Sequence, residues 1–214
     1  MIIDRIFPKR FCNKRGFTLP ELMLVLFIVT LMSALSFSGS KDFTRNTELT
    51  NLTYDVALSI KTAQSYSINV KGAVKPDSTI TFDTGYGIHI ENDSSYLLFA
   101  DVASDKRYIA GSGDVLVATY NTPPNYKINF CAFYNQGGPK QDCLPPNGNG
   151  NGNIRDLEIV FNRPDPDASI RLVKESSGNF TGVTYNSVDI YIKTLDGTNS
   201  RTITVRPSGQ ISIK

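Results

Sequence analysis

Between Leu22 and about Phe37 the chain carries no charged residue, and only Thr30, Ser33 and Ser36 interrupt an otherwise apolar run. A stretch of that length and composition leaves no polar face to turn towards water, so it belongs in a bilayer or in the packed interior of an assembly. One carboxylate, Glu21, stands at its leading edge, directly behind Lys14-Arg15-Gly16-Phe17-Thr18-Leu19-Pro20. An unpaired carboxylate at membrane depth costs about 2.5–3.5 kcal/mol even on a lenient insertion scale. Glu21 therefore needs a partner, and a plain anchor offers none. A secretory signal peptide cut within Ser36 to Ser40 and a simple bitopic anchor over Phe17 to Ser38 both suit the apolar run. Neither accounts for Glu21.

Charge is distributed unevenly. The 214 residues have a formal net charge of +2, but Arg5, Lys9, Arg10, Lys14 and Arg15 against Asp4 give residues 1–16 a net +4, which leaves −2 on the rest. A basic tip before an apolar helix places the tip in the cytoplasm and the body across the membrane. A slightly acidic body argues against a general nucleic-acid binder. A hydrophobic content of 40% and a charged content of 20% describe a folded chain rather than a disordered one.

Beyond the apolar run, Leu49, Leu52, Val56, Ala63, Tyr66 and Val70 recur at helical spacing, with Asn51, Asp55, Lys61, Gln64 and Asn69 opposite them. This pattern predicts an amphipathic helix ended by Gly72, with a kink at Ser38-Gly39-Ser40. From Ser78 the period changes to that of strands. Thr79 to Asp83, Tyr86 to Glu91, Ser95 to Asp101, Asp114 to Tyr120 and Tyr126 to Tyr134 come first. Asn153 to Asn162, Ala168 to Lys174, Ser187 to Leu195, Arg201 to Arg206 and Gln210 to Lys214 follow, all separated by turn residues such as Asp196-Gly197. The expected fold class is α+β, a long N-terminal α-helix packed on an antiparallel β-sheet.

Gly16-Phe17-Thr18-Leu19-Pro20-Glu21-Leu22, with its basic leader and the apolar helix behind it, resembles the cleavage and methylation motif of type IV pilins and type II secretion pseudopilins. The resemblance implies that a prepilin peptidase cuts between Gly16 and Phe17 and methylates the new amine of Phe17. Glu21, at the fifth mature position, would then meet that cationic amine on its own or an adjacent subunit. Opposite charges in low dielectric attract strongly, and either one left alone is costly, which makes the pair a register device for a filament. The divisions are then a leader 1–16 that is removed, a membrane and assembly half of the helix at 17–38, an amphipathic half at 39–71, and a β-rich extracytoplasmic domain at 72–214 with a loop at 135–153. Ile159-Val160-Phe161 and the final Thr202 to Ile211 segment are also similar to the H-type minor pseudopilins and related minor fimbrial subunits. The partners implied are other pilin or pseudopilin subunits, the peptidase, a membrane platform protein, an assembly ATPase and the membrane itself. A membrane-tethered binding protein that never polymerises is the alternative from another class.

Removing residues 1–16 removes Cys12 and leaves Cys131 and Cys143 in the portion placed outside the cytoplasm. A disulfide between them would close a short loop and contribute about 2–3 kcal/mol in the chain-entropy model. Two free thiols are the other reading. The Gly-, Asn- and Pro-rich segment 135–153 reads as a solvated loop. Chemistry for an enzyme is sparse. His89 is the only histidine, and strand alternation turns it outward; no catalytic residue, metal site or cofactor is expected. Asp165-Pro166-Asp167 offers too few carboxylates for calcium and reads as a turn. DNA uptake by a minor pilin would call for clustered C-terminal cations, whereas Lys193, Arg201, Arg206 and Lys214 are spaced out and Gln210 follows the turn glycine.

Overall fold

The computed structural model describes residues 16–38, 40–92, 94–135, 139–144, 154–164, 167–174, 179 and 183–214. The expected kink at Gly39, the leader up to Arg15, the loop residues 145–153 and the Asp165-Pro166 turn lie outside the described residues. Two compact units divide at Thr44/Arg45.

The first unit holds α1, Leu19–Ser38. Residues 19–36 are all exposed, so among the described residues nothing covers their apolar side chains. Thr30, Ser33 and Ser36 each return their hydroxyl to a carbonyl one turn back, which hides the only polar groups along the run. The α1 surface is thus apolar on every side, as a membrane or an assembly interior requires.

The second unit is α+β. Helix α2, Ser40–Ile68, enters it, and among the described residues twelve strands follow. They are β1 (Ala73–Val74), β2 (Ile80–Thr81), β3 (Gly85–Asn92), β4 (Ser95–Asp101), β5 (Val115–Asn121), β6 (Tyr126–Asn135), β7 (Pro139–Leu144), β8 (Ile154–Phe161), β9 (Ala168–Lys174), β10 (Ser187–Thr194), β11 (Ser200–Val205) and β12 (Ile211–Ile213). All pairings are antiparallel. They form two five-stranded sheets, ordered β12-β11-β10-β6-β7 and β5-β4-β3-β8-β9, and a small β1-β2 ribbon.

Period-two alternation sorts the core. Ile88 and Ile90 of β3, Leu157, Ile159 and Phe161 of β8, Ile128 and Phe130 of β6, and Ile190 and Ile192 of β10 join Leu49, Val56, Ile60 and Ala63 of α2 in one buried cluster. Polar bonds fix the helix to both sheets. Ser59 Oγ lies 3.2 Å from Tyr96 Oη, Tyr126 Oη donates to Glu48 at 2.9 Å, and Gln64 Nε2 donates to the Gly209 carbonyl at 3.1 Å. Gln64 is therefore buried, not on the solvent face that periodicity assigns it.

The end of α2 also differs from expectation. Lys71 N–H bonds the Tyr66 carbonyl at 3.0 Å and Val70 N–H bonds that of Ser67 at 3.3 Å, the two bonds of a Schellman cap. The left-handed residue of that cap is Val70, φ 56°, rather than Gly72. A β-branched residue there is strained by roughly 1–2 kcal/mol. The contact between Tyr66 and Lys71 that accompanies the cap is a cation–π one, with Lys71 Nζ 3.4 Å from the Tyr66 ring centroid. Val70 consequently projects to solvent instead of extending the buried stripe. Gly72 serves packing instead: a Cβ there would stand 2.8 Å from Ile80 and 2.9 Å from Phe82.

Candidate functional site

The N-terminal segment presents Gly16, Phe17 and Thr18 outside any helix, all exposed. The Thr18 carbonyl accepts the first helical bond, from Leu22 N–H at 3.1 Å, so Thr18 takes the N-cap position. Pro20 follows in the first turn, where its missing N–H costs nothing. Glu21 stands three residues past the cap, where a carboxylate complements the helix dipole. Thr18 and Glu21 thus stand at the sequence positions of a capping box, without the Glu21 bond that would complete one. Among the described residues Glu21 has no ion pair or hydrogen bond. A Cβ at Gly16 would meet nothing within 4 Å, so the chain's own packing makes no demand for glycine at that position.

Cys131 and Cys143 face each other across the β6–β7 ladder, Cα atoms 4.1 Å apart and joined by a disulfide. The strand β7 that carries Cys143 falls inside the segment expected to be loop. Lys140-Gln141-Asp142 shows no apolar alternation, and pairing with β6 sets its conformation.

His89 is where sequence and structure part most clearly. It does point to the face opposite α2, but that face is covered, and His89 is only 5% exposed. Its Nδ1 lies 2.7 Å from Oε1 of Glu158, its direct register partner, which is fully buried. Burial pushes the Glu158 carboxyl up to about 7, against the pull of His89. Burial alone would lower the His89 pKa, but the bond and charge of Glu158 outweigh it and raise the imidazole pKa. A bulge between Ile154 and Asp156 brings Arg155 to the same neighbourhood, where its guanidinium grips the buried Asp156 at 2.7–3.0 Å. Tyr108 packs on His89 and Phe99, with ring centroids 5.6 and 5.4 Å apart. Gly87 permits the close approach beneath, since a Cβ there would stand 2.8 Å from the Ile159 carbonyl and 2.9 Å from Val160. Among the described residues His89 has this one carboxylate and no hydroxyl nucleophile in bonding reach, which makes a buried hydrogen-bonded pair rather than a catalytic triad. The signal for it was a pair of acids, Asp156 and Glu158, inside a strand that Arg155 alone otherwise keeps from being apolar.

Asp101, Asp105 and Asp114 also converge, close enough to share a cation. The loop spends their oxygens on itself. Asp101 accepts the amides of Asp105 and Lys106 at 3.2 and 3.0 Å; Asp114 accepts those of Ala103 and Ile109 at 3.1 and 3.3 Å. The C-terminal cations stay dispersed: Arg201, Arg206 and Lys214 are exposed, and Arg206 reaches Gln210 at 3.3 Å.

Residues 12–37 match the family model of the prokaryotic N-terminal methylation motif. That motif, set on an apolar helix, supports a type IV pilin-like protein. The class is structural rather than enzymatic, and the motif implies processing by prepilin peptidase, membrane anchoring and assembly with other pilin subunits. No curated protein and no solved structure matches the chain.

Proposed function

We propose that the chain is a minor pilin or pseudopilin subunit of a type IV pilus or type II secretion pseudopilus. It is made as a precursor, cut between Gly16 and Phe17, methylated at Phe17 and assembled through α1. The observation that carries this reading is the pairing of the methylation motif with a helix whose apolar surface is uncovered, and whose one carboxylate, Glu21, is without a partner, among the described residues. Cleavage creates the missing cation four residues before Glu21. The exposed, non-helical Gly16–Phe17 bond suits a peptidase, and a glycine that the chain's own packing does not require suits selection by an outside enzyme. The N-terminus stays cytoplasmic and the β-domain extracytoplasmic, where the Cys131–Cys143 bridge persists. The platform protein and assembly ATPase act on it indirectly.

The test is co-expression with the filament machinery. The chain should lose residues 1–16 only when the peptidase is present and should be recovered in sheared filaments. Glu21→Gln should be processed like wild type yet enter filaments at most at about a tenth of the wild-type level, the loss expected when about 1.4 kcal/mol of docking energy disappears. Wild-type incorporation of Glu21→Gln would contradict the proposed pairing.

A further inference from the structure

Among the described residues the two five-stranded sheets end in four edge strands, β12, β7, β5 and β9. An open edge presents unpaired N–H and C=O groups, and folded chains guard it with short length, charge or proline. β12 is three residues long, β7 carries Pro139, Lys140 and Asp142, and β9 carries Arg171 and Lys174. β5, Val115-Leu116-Val117-Ala118-Thr119-Tyr120-Asn121, has none of these guards. A bulge against Leu98 and Phe99 breaks its first half, but Ala118 to Asn121 keep a regular register with β4. The Thr122 amide donates to the Ser94 carbonyl at 2.7 Å, which sets the phase of that ladder. By antiparallel alternation Ala118 and Tyr120 turn their backbone groups to β4, and Thr119 and Asn121 turn theirs to the open edge. Both residues are exposed.

Helix α2 runs beside this edge. A cavity of about 410 Å³ lies between Leu52, Asp55 and Leu58 of the helix and Thr119 and Asn121 of the strand. The Tyr96–Tyr120 stack, with centroids 4.8 Å apart, forms part of its lining. A second cavity of about 450 Å³ shares Leu52 and Asp55 and carries the groove on to Glu48 and Pro123. A helix alongside an unguarded strand edge suits an extended peptide: main-chain bonds to the edge give affinity, and the wall selects side chains. The wall here offers Leu52 and the exposed Leu58, with Asp55 and Glu48 as its charges. Among the described residues no lysine or arginine lines either cavity. Arg45 and Lys61 of the same helix are engaged by Asp196 and Gln64. Charge complementarity therefore calls for a cationic occupant. Two β5 edges paired with each other would bring no cation to these acids.

We propose that an extended segment of a neighbouring subunit, apolar at alternate positions and bearing a lysine or arginine, adds to β5 as a sixth strand of its sheet. Its backbone bonds Thr119 and Asn121, its apolar side chains rest on Leu52 and Leu58, and its cation meets Asp55 or Glu48. The inference rests on the reading of the chain as an assembling pilin subunit, and it adds a contact made by the β-domain to the one made by α1.

Hydrogen exchange resolved to single amides, on the full chain in detergent micelles and in sheared filaments, tests this. In micelles the Thr119 and Asn121 amides should exchange freely while that of Tyr120, bonded to β4, is slow. In filaments Thr119 and Asn121 should slow by about tenfold or more, with Tyr120 little changed. Thr119→Pro removes only an outward N–H, so the variant should fold in micelles. It should then either stay out of filaments or show an Asn121 amide there as fast as in micelles. Asp55→Lys should weaken the protection as well. Filaments that contain the chain but leave Thr119 and Asn121 as fast as in micelles overturn the inference and spare the assembly reading. Absence of the wild-type chain from filaments overturns both. Equal slowing from Val115 to Asn121 would mean burial without strand pairing and overturns the inference, as does undiminished protection in both variants. Should Thr119→Pro fail to fold, Asp55→Lys and the alternation in the wild-type chain decide.

Discussion

Ser67, on the last turn of α2, joins the helix to the end of the β3–β8 ladder. Its hydroxyl donates to the Phe161 carbonyl at 2.5 Å and accepts the Tyr86 amide at 2.9 Å; Tyr86 and Phe161 are register partners. Ser67 is 1% exposed, and the space left by a single hydroxyl is too small to admit water. Ser67→Ala therefore leaves a backbone donor and a backbone acceptor without their partner. Each such group costs about 1–3 kcal/mol, so the substitution should destabilise the domain by about 2–6 kcal/mol. Urea unfolding of the chain from Ser40 onward, followed by circular dichroism, reads this as a shift in midpoint at unchanged slope. Ser65→Ala, at an exposed position whose hydroxyl accepts only a solvent-exposed bond from Asn69 Nδ2 at 2.9 Å, should stay within about 0.5 kcal/mol of wild type. A Ser67→Ala variant as stable as Ser65→Ala would refute the claim that the helix is pinned through this hydroxyl.

Stability of the same domain should fall as pH rises from 5 to 8. Asp101 and Glu158 are raised to about 6 and about 7, and His89 is raised as well. A raised group stabilises the fold below its unfolded pKa, near 4 for the two acids and near 6.5 for the histidine, and loses that contribution as pH climbs through the folded value. Asp101 alone accounts for about 1 kcal/mol of the fall over this range, the rest of its contribution being lost below pH 5, and Glu158→Gln should flatten the profile of melting temperature against pH. Intact-mass measurement after alkylation should find Cys131 and Cys143 protected until a reductant is added; Cys131→Ser with Cys143→Ser should cost about 2–3 kcal/mol. Two alkylated thiols without reductant would contradict the bridge.

Much of the second unit could be read from alternation and turn residues. Ala168–Lys174 begins and ends where the pattern places it, and Ser187–Thr194 and Ser200–Val205 differ only at their ends. These strands bury one face, so their sequences carry the period. What escaped notice depends on partners distant in the chain. The division into two sheets is set by which strand β3 and β6 choose as neighbours, and alternation does not encode that choice. β7 is a strand because β6 pairs with it. His89 was assigned to the correct side of its strand, yet it is buried because a loop folds over that side. Val70 and Gly72 show the same limit at the end of α2: glycine is the usual helix stop, but here close packing against Ile80 and Phe82 claims it, and the strained turn falls to Val70. At the proposed processing site the signal was entirely local. The basic residues, Gly16, Phe17, Glu21 and the apolar run are contiguous, and their meaning does not depend on the fold.

The central claim is that one cut creates the partner of Glu21. Mass spectrometry of the mature protein's N-terminal peptide, from cells that assemble it, tests this most directly. The account predicts a chain that begins at Phe17 with one added methyl group on its amine. An intact Met1, or a chain that begins within Ser36 to Ser40, would contradict it.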